Sequence, residues 1–119
     1  MWIDLQQLES LLNDEPVRLM LLSSALSMPR GSLLPLGNQQ TIAHLLGHHG
    51  TWVLENDCYG ELGFEPDQRR FRDLLAPERL MVFSTFEKFI GAEAPFGILL
   101  SRHWRNELQR HFLLRAFRL

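Results

Sequence analysis

Residues 39–70 read QQTIAHLLGHHGTWVLENDCYGELGFEPDQRR, and the assignment of this stretch decides the fold. Asn38 is a good N-cap, and Ile42, Ala43, Leu45 and Leu46 recur at the spacing of one helical face through Leu46. Gly47 and Gly50 then bend the chain. Trp52, Val53, Leu54, Cys58 and Leu62 form a second apolar face, closed by the turn Gly63-Phe64-Glu65-Pro66-Asp67. Two helices that cross closely need a small residue at the crossing and a permissive one at the turn, roles that Ala43 and Gly47 suit. The spacing therefore predicts a helix-turn-helix-like centre, with Trp52 and Leu54 packed on Ile42, Leu45 and Leu46.

Upstream, Asp4 can cap a helix carrying Leu5, Leu8, Leu11 and Leu12. Pro16 suits the first turn of another, running from Val17 to Met28, for which a buried strand is the competing assignment. Residues 29–38 hold Pro29, Gly31, Pro35 and Gly37 and read as a loop. Downstream, Pro77 restarts a helix lined by Leu80, Met81, Phe83, Phe86, Phe89 and Ile90 up to Gly91, and Pro95 opens a last one. The expectation is an all-α bundle of about five helices, starting near residues 4, 16, 38, 67 or 76, and 95, in a single domain over residues 1–119.

Composition bounds the rest. A chain of 119 residues with 45% hydrophobic and 22% charged residues has globular values, and eight Phe with three Trp supply ample apolar area. Cys58 is the only cysteine, which excludes an internal disulfide. No run approaches the roughly 20 apolar residues of a membrane span. A cytoplasmic protein is expected. The net charge of −2 conceals a basic end, where Arg102, Arg105, Arg110, Arg115 and Arg118 face Glu107 alone. The apolar residues interspersed there, Trp104, Leu108, Phe112, Leu113 and Phe117, cannot all turn toward one core and predict the interface of a homodimer.

Residues 39–70 resemble the second helix-turn-helix of AraC-type transcription regulators. The resemblance rests on Ile42-Ala43, Leu46-Gly47, the apolars Leu54, Cys58 and Leu62, and Gly63-Phe64-Glu65-Pro66 followed by Arg70. It implies a DNA-binding subdomain whose second helix, near Thr51 to Leu62, enters a major groove. Under direct DNA binding the nucleic-acid contacts are Thr51, Arg69, Arg70 and Arg72, the arginines with those of the basic end supplying the phosphate contacts that the motif lacks. This chain departs from the family at His48 and Cys58, and its would-be recognition helix presents Glu55, Asn56, Asp57 and Glu61 to a polyanion. The expected function is accordingly a small regulator of transcription acting through protein contact, with direct DNA binding as the alternative.

A third alternative is a metal- or ligand-binding bundle centred on His44 and His48, four residues apart, with His49, Asp57, Cys58, His103 or His111 completing it. No His-Glu-x-x-His, Cys-x-x-Cys, Gly-x-Ser-x-Gly or glycine-rich phosphate cradle is present. No enzyme activity, cofactor or resident metal is therefore expected.

Overall fold

The computed structural model describes residues 3–23, 25, 33–60, 70–93 and 97–116, with the backbone alone at 88–89 and 112–116. Helix α1 (Leu5–Asp14) begins where Asp4 caps it, its carboxylate accepting from the N–H groups of Gln6 and Gln7 at 3.0 and 3.1 Å. Leu8 and Leu12 form its buried face. Beyond α1 the chain departs from a bundle. The apolar run after Pro16 forms strand β1 (Leu19–Leu22), so the buried strand prevails over the helix there. Helix α2 (Leu36–His48) starts two residues before the expected cap, and Gly47 lies inside it. The turn falls at Gly50, whose φ of 68° is the left-handed conformation that glycine adopts without strain.

Past Gly50 the chain enters strand β2 (Trp52–Asn56), paired in parallel with β1 in the register Leu19↔Trp52 to Leu22↔Glu55. Two 3₁₀ turns, Phe71–Asp73 and Pro77–Arg79, lead into strand β3 (Leu80–Thr85), again parallel, with Val53↔Leu80 and Glu55↔Val82. The short helix α3 (Glu87–Ile90) ends at Gly91, φ 117°, and strand β4 (Gly97–Ser101) returns antiparallel to β3. Helix α4 (Arg105–Ala116) comes last. The sheet order is β1-β2-β3-β4.

The fold is thus mixed α/β with a four-stranded sheet, and the all-α expectation is corrected. The helices expected after Gly50, Pro77 and Pro95 give way to β2, to β3 with α3, and to β4 with α4. The physical reason is the period. In β2 successive side chains alternate across the sheet, so Val53 and Glu55 are buried while Trp52 and Leu54 stand on the opposite face. Trp52 and Leu54 therefore do not meet Ile42 and Leu46 as helix packing required. Ile42, Ala43 and Leu46 of α2 instead join Leu8 and Leu12 of α1, Val53, Leu80 and Val82 of the sheet, and Phe71 in one core. The other sheet face is open, with Leu19 51% and Leu21 61% exposed.

The alternation is testable with two truncations. Val53→Ala removes apolar surface that is wholly buried and costs about 1.5–3 kcal/mol in chemical denaturation. Leu54→Ala, on the half-buried face, costs less than about 1 kcal/mol. The helix expected at 52–56, with Trp52 and Leu54 packed on Ile42 and Leu46, would instead make Leu54→Ala a costly truncation.

Candidate functional site

Parallel strands end together, and the carboxyl ends of β1, β2 and β3 bring to one edge the residues best placed for chemistry in an open α/β sheet. After β1, the Ser23 hydroxyl lies within donating distance of two carbonyls, those of Ala25 at 3.0 Å and Asn56 at 3.2 Å, which share its one proton. After β2 comes Asp57, 5% exposed, whose N–H donates to the Phe83 carbonyl and whose carbonyl accepts from Ser84 Oγ. Thr85 closes β3, and Phe86, Glu87 and Lys88 come directly after it, the last two opening α3. Lys88 is the single lysine in the chain.

Behind this edge lies a charged frame. Glu55 has no exposed surface, and its Oε1 and Oε2 accept from the N–H groups of Phe71 and Arg72 at 2.9 and 3.1 Å. That anchors the 3₁₀ turn beneath the sheet edge. From the anchored turn, Arg72 Nη2 reaches Asp57 Oδ2 at 2.6 Å, and Arg70 Nη1 reaches the same oxygen at 3.0 Å. Burial works against the charge of Arg72, but the hydrogen bond and charge of Asp57, aided by Glu55 and Asp73, outweigh it and hold the guanidinium pKa above its ordinary value. Gly60 lies so close that a Cβ there would strike Asp57 Oδ1. A cavity of about 350 Å³ opens beside the pair, lined by Asp57, Arg72, Val82, Ser84, Phe86 and Ile98.

This architecture, two parallel crossovers feeding a polar edge with an antiparallel strand beyond, matches a known enzyme group over nearly its whole length. A family model described as aminotransferase class I and II matches residues 1–110. The chain belongs to the aminotransferase class I and II family. Its fold is similar to that of LysN, an α-aminoadipate aminotransferase from Thermus thermophilus (TM-score 0.78, 22% identity, 87% of this chain and 28% of that one). It is also similar to a PLP-bound C-S lyase from Staphylococcus hominis (TM-score 0.78, 13% identity, 98% and 30%) and to a Pyrococcus protein, A1 (TM-score 0.78, 17% identity, 96% and 30%). The chain thus spans less than a third of the length of these structures. No curated protein matches it.

Membership in the aminotransferase family overturns the AraC resemblance, the transcription-regulator reading and the expectation of no enzyme. Spaced apolar residues and turn glycines carried that resemblance, and the segment after Gly50 that it needed as a recognition helix is β2. Nor is a protein or nucleic-acid partner supported. Thr51 is 1% exposed and donates its hydroxyl to the Val17 carbonyl, while Arg70 and Arg72 bind Asp57. Arg69 and Phe117 lie outside the described residues. Trp104 turns against Trp52, Leu108 is half-buried in α4, and Phe112 and Leu113 lie on the backbone of that helix. His44 and His48 are exposed, and no group of three metal-ligating side chains occurs among the described residues. No helix among the described residues is long and apolar enough to cross a membrane.

Sequence reasoning passed over Lys88 and took Glu55 and Asp57 for part of an exposed face, whereas both are buried. The signal for Lys88 was its solitude among eleven arginines. For Glu55 it was an acidic residue inside an apolar strand. Glu55→Gln keeps the shape but leaves one strong acceptor for two buried N–H groups, and is expected to cost about 1–3 kcal/mol in urea unfolding. A neutral result would show that the 3₁₀ turn is held by other contacts.

Proposed function

We propose that this chain carries the lysine of a pyridoxal-phosphate site and takes part in aminotransferase chemistry on amino acids. The observation that carries the reading is the place of the one lysine, directly after the carboxyl end of β3, in a chain of this family. Structures of similar fold are described as a PLP-dependent aminotransferase from Streptococcus suis and a PLP-bound C-S lyase. Pyridoxal phosphate, when bound, supplies an electron sink for charge developing beside a substrate nitrogen.

The donor set at the edge fits the aldehyde end of that cofactor. An amine is what binds an aldehyde covalently, and Lys88 provides it; the Ser84 and Thr85 hydroxyls and the Asn56 amide share the edge. Asp57, already bound by Arg70 and Arg72, orients the ends of β2 and β3 rather than serving as a mobile base. Rigid support of this kind holds the strand ends from which the lysine-bearing segment leaves.

Borohydride reduction after incubation with pyridoxal phosphate tests this reading. The expected product is one phosphopyridoxyl adduct per chain, mapped to the peptide containing Lys88, and none in Lys88→Ala or Lys88→Arg proteins that retain the native circular dichroism. An adduct confined to the N-terminal amine would overturn it. Amino-group transfer from an amino acid to a 2-oxo acid is the second measurement, lost with the adduct in both variants.

We further propose that the protein pairs with a second copy through α4, where Leu108, Phe112 and Leu113 lie on one helix among arginines. Light scattering is expected to give the mass of two chains at tens of micromolar, and of one chain after removal of residues 112–119. A monomer at the outset refutes the pairing.

A further inference from the structure

At the other end of the strands, far along the sheet from Lys88, the structure holds a second concave site. Leu19 opens β1 and Trp52 opens β2 as its register partner, so the two side chains share a face. Met81 of β3 pairs with Leu54 and stands on that same face, extending an apolar floor. Beyond β4 the chain turns back, and the backbone N–H of Trp104 donates to Ser101 Oγ at 3.1 Å, which holds the turn that carries the indole. Its ring lies 5.6 Å from that of Trp52 at an angle of 50°, while His103 lies 5.2 Å from Trp52 and 5.0 Å from Trp104. Rings tilted in this way do not close face to face. They leave a wedge of about 330 Å³, the size of a small-molecule site.

Charge selects what the wedge can take. Arg18 lines it and, with Glu15, lines the adjoining cavity beside Trp52, yet it forms no ion pair among the described residues. The neighbouring Arg102 is engaged by Glu78 at 3.6 Å, and no acidic side chain among the described residues lines the wedge. A guanidinium beside two indoles favours a ligand that offers a flat ring to the aromatics and a carboxylate to the cation, and it repels a cationic ring of the same shape. We propose that the amino-terminal edge of the sheet binds a planar aromatic carboxylate between Trp52 and Trp104, with Arg18 as its counter-ion. The site shares no residue with the cofactor edge and stands independently of it.

Titration calorimetry with indole-3-acetate, set against tryptamine as the cationic ring of matching shape, tests the assignment, with quenching of indole fluorescence as a second readout. One saturable site is expected for the carboxylate, with tryptamine at least about tenfold weaker. Arg18→Gln, a change at an exposed position, should weaken the carboxylate by about tenfold or more, and Trp104→Leu should abolish saturation with unchanged circular dichroism. Lys88→Ala should leave binding as it was, which separates this site from the cofactor reading. Absence of saturable binding, equal affinity for tryptamine, or full affinity in Arg18→Gln would overturn the proposal.

Discussion

Glu55, in the middle of the sheet and without exposed surface, gives both carboxylate oxygens to backbone N–H groups of residues sixteen and seventeen positions later. A buried carboxylate is costly unless its oxygens are bonded, so burial of this strand and closure of the 3₁₀ turn at Phe71 are one event. The turn then delivers two further things. Phe71 enters the core with Ile42, Leu46 and Val53, and Arg72 swings back to Asp57 just beyond the strand that holds Glu55. Without the Glu55 anchor, Asp57 would lose the fixed position of Arg72, one of its two cations.

Around that constraint the parallel strands divide the molecule into two ends. Their carboxyl ends gather Ser23, Asn56, Asp57, Ser84 and the lysine-bearing turn, bound together by Ser23 Oγ to the Asn56 carbonyl and Ser84 Oγ to the Asp57 carbonyl. Their amino ends gather aromatic rings and Arg18. Polar hydrogen bonds hold the first end in place, whereas packing of Trp52 against His103 and Trp104 shapes the second. One polypeptide direction thus separates a polar edge from an aromatic one.

The first helix was legible because its cap and its apolar spacing agree: Asp4 accepts from Gln6 and Gln7, and Leu8 and Leu12 lie inward. The middle was read with the wrong period. Trp52, Val53 and Leu54 are apolar in succession, which suits a broad helical face and also a strand buried on one face and partly covered on the other. Residues 80–86 posed the same ambiguity, and there Leu80 and Val82 turn to the core while Met81 and Phe83 turn away. The candidate site was not legible as a motif, since Glu55, Asp57 and Arg72 come together only when the turn at Phe71 closes on the end of β2.

From its residues alone the sequence determined a globular chain without an internal disulfide, a capped amphipathic first helix, an apolar α2 face of Ile42, Ala43 and Leu46, and a single lysine. Tertiary structure alone decided that the segments after Arg18, Thr51 and Arg79 are strands and that they run parallel. Helix hydrogen bonds close within a few residues and leave a local periodic trace. Parallel strands bond only to segments some thirty positions distant, so the preference that makes β2 a strand resides in β1 and β3 rather than in β2 itself.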